Sequence, residues 1–120
     1  MTTEHTHSLP KRCRLRKANE FRAVLRNRMV FESLLLRLHV KKNPINDYAR
    51  IGLIVAKRVE RKAVRRNHIK RLIREAFRKH RQIIKGMDCI VQLRRSVEPL
   101  DFARIYQETT MLLNKAAKQS

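Results

Sequence analysis

Residues 62–81 read KAVRRNHIKRLIREAFRKHR, a stretch that is both amphipathic and strongly cationic. Its apolar side chains recur at the i, i+3, i+4, i+7, i+8 spacing of one helix face: Ile69, Leu72, Ile73, Ala76 and Phe77. At about 100° per residue, the opposite face collects Asn67, Arg71, Arg74 and Arg78. The spacing therefore predicts a helix with one face in a protein core and the other face turned toward an anion.

The segments before this helix have the patterns of strands. Residues 50–58, RIGLIVAKR, are a β-branched run typical of a central strand, in which Gly52 leaves room for the close approach of another group. Residues 33–42, SLLLRLHVKK, alternate, and the buried side is predicted to hold Leu34, Leu36, Leu38 and Val40. The other side is then formed by Ser33, Leu35, Arg37, His39 and Lys41.

Helices are predicted near both ends of the chain, with one more strand between the cationic helix and the last one. Asn19 is expected to cap a first helix whose apolar side presents Phe21, Val24 and Leu25. Residues 89–95 form the further strand after Gly86, and a last helix opens at Pro99 or Asp101. The order is α, two or three strands, α, β, α, so the fold class is α+β.

The composition of the chain limits its size and its partners. Its 120 residues suffice for one domain, which we place at residues 14–118 after a flexible N-terminal tail at residues 1–13. Thirty Lys and Arg against ten acidic residues give a net charge of +20, and an apolar content of 42% excludes a purely disordered basic tail. Such a charge requires a polyanion nearby, either nucleic acid or an anionic membrane.

Other sequence features bear on localisation and metal binding. The chain has no apolar run of the roughly 18 residues that a membrane span needs, and it begins with a polar segment, so we expect a cytoplasmic protein. His5 and His7 have HxH spacing, but we interpret them as part of the tail. Cys13 and Cys89 are not clustered, and we interpret them as small buried or incidental thiols.

The distribution of charge favours RNA as the polyanion. Twelve Lys or Arg lie between Lys57 and Arg81 against only Glu60 and Glu75, and like charges on a helix destabilise it by roughly 0.2–0.5 kcal/mol per pair. A membrane is disfavoured because the opposite helix face is already occupied by the core stripe. Helix-turn-helix DNA readers are usually all-helical, whereas alternating strands predict a sheet that can bind a single RNA strand.

The residues alone leave three functions open: an RNA-binding subunit of a ribonucleoprotein enzyme, a structural ribosomal protein, and a stand-alone nuclease. A metal-dependent nuclease needs clustered carboxylates, but the aspartates are scattered over a turn, a strand start and a helix start, at Asp47, Asp88 and Asp101. His39 and His68 would form an acid–base pair only if the fold joined them, and we expect His68 to donate to phosphate instead. We therefore predict no catalytic residue and no metal ligand in this chain.

Two segments together resemble the bacterial ribonuclease P protein component. RIGLIVAKR at 50–58 and KAVRRNHIKRLIREAFR at 62–78 are similar to the family patterns R-x-G-L-x-V-[SA]-K-[KR] and A-x-x-R-N-R-x-K-R-x-x-R-E-x-F. RLRKANEFRAVL and MDCIVQLRR extend the resemblance to about residues 14–115. It implies an αβββαβα two-layer sandwich with a mixed four-stranded sheet and a left-handed βαβ crossover, a ribosomal-protein-like fold.

The resemblance also implies a function and its partners. The chain would be the protein subunit of a ribonucleoprotein endonuclease, in which a catalytic RNA uses Mg²⁺ to remove the 5′ leader from precursor tRNA. Its partners would be that catalytic RNA, with one protein per RNA, and precursor tRNA, without DNA or a membrane. The protein would bind RNA and would itself supply neither catalytic residues nor a metal site.

The cationic helix and the resemblance together predict the RNA-binding residues. The predicted RNA contacts are Lys57, Arg58, Lys62, Arg65, Arg66, Asn67, His68, Lys70, Arg71 and Arg74. In the family, a cleft between the first helix and the sheet holds the leader, and here we expect it to involve Phe21, Arg37, His39 and Lys57. Phe21 is either a core residue or a stacking platform for a leader base. His68 replaces the second signature arginine, and Leu25 replaces a frequent second aromatic.

Overall fold

The computed structural model describes residues 9–119, and His5 and His7 lie outside the described residues. The helices in this range are α1 (Ala18–Arg26), α2 (Ala63–His80) and α3 (Phe102–Gln119). The strands are β1 (Met29–Glu32), β2 (Leu36–Lys42), β3 (Arg50–Ile54) and β4 (Met87–Leu93). This order confirms the predicted αβββαβα arrangement of an α+β fold.

The four strands form one mixed sheet in the order β1-β2-β4-β3. β1 pairs with β2 and β2 pairs with β4 in antiparallel fashion, whereas β3 pairs with β4 in parallel. A parallel pair needs a long crossover connection, and α2 with its flanking segments supplies it between Ile54 and Met87. The left-handed sense of this crossover stays a prediction.

The main core lies between one face of the sheet and the helices α2 and α3. From α2, the fully buried Ile69, Ile73 and Phe77 enter this core, which confirms the predicted apolar face of the helix. The strand residues that point into it alternate along β2 and β4: Leu36, Leu38, Val40, Cys89, Val91 and Leu93. The same packing leaves the opposite side of α2 at the surface.

The other face of the sheet is partly covered by α1. Val24 of α1 is fully buried there, in a small cluster with Leu15 and Ile90. The ring of Phe21 lies on the backbone of Gly52, where an added Cβ would be 2.5 Å from Phe21 Cζ. Gly52 is therefore a position of close approach, and the approaching group is a side chain of the same protein.

The start of α1 shows that the predicted cap is wrong. The helix begins at Ala18, so Asn19 lies within the first turn and is exposed. The backbone amides of Arg16 and Lys17 donate to Glu20 Oε1 at 3.2 and 3.1 Å. Because this carboxylate satisfies amides at the helix start, no capping side chain from Asn19 is required.

Three burial predictions before β2 and in α1 are also wrong. Leu34 is 44% exposed and Leu35 is only 5% exposed, the reverse of the prediction. The alternation begins only at Leu36, because the residues before it form a turn in which Ser33 N donates to Leu36 O at 2.9 Å. Leu25 of α1, predicted on the apolar side, is 38% exposed.

The domain begins before the predicted boundary at residue 14. Leu9 is 6% exposed, Cys13 is fully buried, and both belong to the main core. Lys11–Cys13 form a 3₁₀ turn, and Arg81 Nη1 donates to Cys13 Sγ at 3.1 Å. Residues 9–13 thus belong to the domain rather than to a tail, because their apolar side chains complete its core. Cys13 and Cys89 are free and buried, as predicted.

Candidate RNA-binding site

The outward side of α2 forms one wall of a groove that we call the cationic groove. Its volume is about 400 Å³, and its lining consists of Leu9, Arg14, Asn67, Arg71, Arg74, Glu75 and Arg78. Asn67, Arg71 and Arg74 are exposed, as the helical spacing predicts. The groove is open and polar, and it carries four guanidinium groups against one carboxylate, so it suits an extended anion.

The ion pair between Arg78 and Glu75 limits what this groove offers. Arg78 Nη2 contacts Glu75 Oε2 one helical turn away, and this hydrogen bond is the main cause that raises the pKa of Arg78. The prediction that Arg78 faces an external anion is therefore wrong in part, because a carboxylate of the same helix already pairs with it. The groove's capacity for anions rests on Arg14, Arg71 and Arg74.

Arg74 lies where two positive groups converge. Partial desolvation, followed by the charge of the nearby Arg14, lowers the pKa of the Arg74 guanidinium from its usual value, although it stays protonated. Like charges at short range repel, so an anion placed between them is stabilised by both. Arginine also offers two parallel donors that match the oxygens of a phosphate.

A second depression, which we call the strand-edge cleft, continues from the cationic groove past the outer edge of β3. Its volume is about 320 Å³, and it shares Arg14 and Arg74 with the groove. The remaining lining residues are Leu15, Arg16, Phe21, Ile51, Gly52, Leu53 and Lys70. The two depressions therefore form one continuous surface from α2 to α1.

The N-terminal segment before α1 builds the floor of this surface. Arg14 forms a parallel bridge to Ile51 at the edge of β3, and Leu15 N donates to Ile51 O at 2.8 Å. Leu15 is buried, so Arg14 and Arg16 on either side of it are directed outward and exposed. Sequence reasoning missed both arginines as site residues. The alternation of RLR is the signal that could have found them, but only the fold shows which strand they join.

A partly buried charge cluster holds α1 against the sheet. Arg50 of β3 donates from Nε to Asp88 Oδ1 at 2.9 Å, from Nη2 to Asp88 Oδ2 at 2.8 Å, and from Nη1 to Glu20 Oε2 at 3.0 Å. The bidentate bond to Asp88 is the main cause that raises the pKa of Arg50. Because Glu20 lies in the first turn of α1, this cluster fixes the helix that carries Phe21.

The predicted leader-binding residues do not all line one cleft. Phe21 lines the strand-edge cleft, but Arg37 and His39 lie on β2, which β4 separates from β3. The register places His39, Ile90 and Gly52 in one row across the sheet, so His39 shares the α1 face of the sheet with Phe21. Two strand spacings put about 10 Å between the backbones of β2 and β3. Arg37 and His39 thus lie beside the cleft rather than in its lining.

Internal contacts already occupy two of these side chains. Arg37 Nε pairs with Glu32 Oε2 of the neighbouring strand. His39 is buried, and its Nε2 lies 3.1 Å from Gln92 Oε1. Lys57, which follows β3 in an exposed turn, has no place in the cleft lining either.

The other predicted contacts surround the start of α2. Lys57 and Arg58 lie in the turn after β3, Lys62 is exposed directly before the helix, and Arg65 is half-buried. Arg66 Nη1 donates to Glu60 O at 3.0 Å and to Arg61 O at 2.9 Å, so this signature arginine holds the loop that leads into α2. Lys70 lines the strand-edge cleft, whereas His68 turns toward α3.

Two findings concern membranes and metals. No helix within residues 9–119 is long and apolar enough to cross a membrane. In the same range, no group of three or more His, Cys, Asp or Glu side chains is arranged to hold a metal ion.

The fold and the continuous cationic surface are those of a small RNA-binding α+β protein. The family model for ribonuclease P matches residues 9–117. The ribonuclease P protein component of Nitrosomonas eutropha is 78% identical, and that of Nitrosomonas europaea is 72% identical, each over 120 residues and 99% of both chains. The chain therefore belongs to the ribonuclease P protein family.

Solved structures agree with this assignment. The RNase P protein of Staphylococcus aureus has a TM-score of 0.78 at 28% identity and covers 87% of this chain and 94% of its own. The RNase P protein of Thermotoga maritima has a TM-score of 0.69 at 30% identity, over 88% of this chain and 96% of its own. The mixed sheet and three helices described above are thus the fold of this family.

Proposed function

We propose that this chain is the protein subunit of a ribonuclease P ribonucleoprotein. It binds the catalytic RNA and the 5′ leader of precursor tRNA, and it assists the Mg²⁺-dependent removal of that leader to give the mature 5′ end. The observation that carries the proposal is the continuous surface formed by the cationic groove and the strand-edge cleft, in a chain of this family.

The cationic groove is assigned to the phosphates of the catalytic RNA. Arg71 and Arg74 project from one side of α2, and Arg14 meets them from the segment along β3. A phosphate between Arg14 and Arg74 relieves the repulsion of the two guanidinium groups. Asn67 in the same lining adds a neutral donor for a backbone oxygen.

The strand-edge cleft is assigned to the single-stranded leader. Lys70 and the shared Arg74 supply cations along one side, and Phe21 supplies an aromatic side chain on the other. Phe21 is half-buried and its tip rests on Gly52, so its remaining ring surface is held in place before any RNA arrives. A leader base stacked on it would contribute roughly 1–3 kcal/mol.

Bond cleavage is assigned to the RNA rather than to the protein. Mg²⁺ is proposed to be held by the catalytic RNA and the substrate, where it supplies the charge stabilisation that phosphodiester cleavage needs. The side chains of this chain bind and orient phosphates, and no protein side chain is given a step in the chemistry. We expect one protein per catalytic RNA in the cytoplasm.

A cleavage assay tests this assignment directly. The purified chain is incubated with precursor tRNA at physiological Mg²⁺, with and without the candidate catalytic RNA. We expect the protein to accelerate removal of the leader only when that RNA is present. Cleavage by the protein alone would indicate a nuclease, and no effect on the RNA-dependent rate would contradict the proposed function.

The binding of phosphates is tested by the salt dependence of RNA affinity. The double variant Arg71→Ala, Arg74→Ala should reduce the slope of log affinity against log salt by about 0.7 for each single-strand phosphate, or about 0.9 for each duplex phosphate, that the variant no longer neutralises. The matched control changes two exposed lysines of α3, Lys115→Ala and Lys118→Ala. Equal salt slopes of RNA affinity for both double variants would show that the cationic groove does not bind RNA phosphates.

The leader contact is tested with substrates that differ only in the leader. Phe21→Leu keeps an apolar side chain on this face of α1 but removes the flat ring, whose tip rests on Gly52. We expect it to weaken binding of leader-bearing tRNA by about tenfold, within the stacking range, and to leave binding of mature tRNA unchanged. An equal loss for both tRNAs would show that Phe21 serves the protein core alone.

A further inference from the structure

The α3 side of α2 carries an aromatic pair that neither depression uses. The imidazole of His68 and the ring of Phe102 have centroids 4.8 Å apart and planes inclined by 35°. Phe102 is half-buried and packs against the main core, whereas His68 is exposed. The core therefore holds the Phe102 ring in place, and the His68 ring extends the aromatic surface of the pair to the solvent.

Two exposed apolar side chains lie next to this pair along the chain. Val64, one helical turn before His68, is 81% exposed, and Leu100, two residues before Phe102, is 97% exposed. A single exposed apolar residue needs no explanation, but two beside an aromatic pair at one corner of a protein this charged indicate a contact surface. Val64 is also β-branched, so its place on an open helix face is not favoured by helix propensity.

Arginines of α2 flank the His68 ring of the pair on both sides. Arg65 and Arg71 lie three residues before and three residues after His68, the spacing of neighbours on a helix surface. Arg71 also lines the cationic groove, so this corner and the groove adjoin. Two exposed acidic residues, Glu98 and Asp101, lie on the segment that leads into Phe102. An apolar, partly aromatic surface beside guanidinium groups matches a nucleotide, which joins a flat base to an anionic phosphate.

We propose that His68 and Phe102, flanked by Val64, form a stacking site for an unpaired nucleobase of the catalytic RNA. This proposal rests on the proposed function, because it takes the phosphates of the same RNA to lie in the cationic groove. The leader is not the source of the base, since the stacking site is on the α3 side of α2 and the strand-edge cleft is on its β3 side. His68 thus contributes a ring where the family pattern has an arginine.

Binding of the full chain to the catalytic RNA across a salt series tests the site. His68→Ala should lower the affinity about tenfold, within the 5- to 150-fold range that roughly corresponds to one stacked base, with the salt slope unchanged. His68→Tyr keeps a flat ring and should retain affinity. His68→Lys places a permanent cation at this position without a ring, so it should steepen the salt slope without restoring the salt-independent part of the affinity.

Two outcomes overturn the proposal. One is an unchanged affinity in His68→Ala. The other is a loss in His68→Ala that His68→Lys restores and His68→Tyr does not, which would make His68 a phosphate contact. Thermal unfolding of each variant establishes that it is folded, and Phe102→Leu, which removes the second ring but keeps apolar volume, should weaken binding in the same direction without changing the salt slope.

Further measurements separate this site from the proposed function. The preference for leader-bearing over leaderless tRNA should be the same in His68→Ala as in the unchanged protein. A change in that preference, with full affinity for the catalytic RNA, would place the base in the substrate and overturn the assignment. The Arg71 and Arg74 double variant tests the cationic groove independently. If His68→Ala leaves the affinity for the catalytic RNA unchanged while the double variant reduces the salt slope, the stacking site alone is refuted.

Discussion

At the scale of single residues, the contact between Phe21 and Gly52 determines the shape of the strand-edge cleft. A Cβ on Gly52 would lie 2.5 Å from Phe21 Cζ and 2.8 Å from Cε2, too close for the ring to stay in place. Gly52→Ala should therefore reduce the free energy of unfolding by roughly 1–3 kcal/mol, the usual cost of overpacking. Urea unfolding monitored by circular dichroism measures this loss.

A double-mutant cycle identifies the clash as the cause. In a Phe21→Leu background the shorter side chain leaves room for the new methyl group, so Gly52→Ala should cost less there than in the unchanged protein. The same cost in both backgrounds would mean that the methyl group is not in conflict with the ring. The cycle is independent of RNA and thus measures the protein contact alone.

At the scale of elements, α1 depends on the charge of Glu20. Partial burial alone would raise the pKa of this carboxyl, but the backbone hydrogen bonds from Lys17 and Arg16 and the contact with Arg50 together lower it. A carboxyl with a lowered pKa stabilises the folded state above its unfolded pKa, and this contribution is lost as pH falls through the folded pKa. The stability that Glu20 supplies is therefore present at neutral pH and disappears in acid.

Glu20→Gln tests this dependence because it keeps a side-chain acceptor but removes the charge. We expect the variant to be less stable than the unchanged protein at neutral pH, and we expect the difference to shrink as pH falls through the lowered pKa of Glu20, where its carboxyl becomes neutral like the amide of Gln. Urea midpoints measured over a pH series provide the comparison. A difference that persists undiminished in acid would contradict the role of the charge.

The loop before α2 depends on Arg66 more than on its neighbours in the signature. Arg66→Ala removes two hydrogen bonds to the carbonyls of Glu60 and Arg61 and should cost about 1–2 kcal/mol of folding stability. Arg71→Ala changes an exposed side chain of the groove and should alter stability by no more than about 0.5 kcal/mol. Thermal unfolding without RNA compares the two, and equal effects would contradict the anchoring role of Arg66.

The sequence predicts best those elements whose apolar residues recur with a regular period over many residues. Five turns of α2 fix its apolar face, and hence Asn67, Arg71 and Arg74 at the surface, from local spacing alone. The start of β2 and the cap of α1 are less predictable, because a turn at Ser33 and a carboxylate at Glu20 override the local pattern. Local pattern alone also leaves β1 unresolved, because it is only four residues long.

At the scale of the whole molecule, the parts of the candidate site that were not predicted from sequence depend on non-local strand pairing. Arg14 reaches the groove only because its segment adds to the edge of β3. Arg37 and His39 miss the cleft because β4 lies between their strand and β3. Neither relation has a signature in local periodicity, which explains why the helix face was predictable and the opposite wall of the groove was not.

The net charge of +20 makes salt act in opposite directions on folding and on RNA binding. Without RNA, added salt screens the repulsion among cations, so the unfolding temperature should rise between about 50 and 200 mM salt. With RNA, the affinity should fall by about 10³- to 10⁵-fold over the same range if roughly six to ten phosphates are bound. Parallel melting and binding series measure both, and an unfolding temperature that falls with salt would contradict the first expectation.

The position of β4 has a consequence for biosynthesis. β2 and β3 each pair with β4 and not with each other, yet β4 ends only at Leu93. On the ribosome, the first three strands therefore emerge before the strand that joins them, and α2 emerges before the sheet that will support it is closed. The proposed RNA-binding surface is consequently completed late in translation, and a nascent chain that stops before β4 carries the cations of α2 without the sheet that supports them.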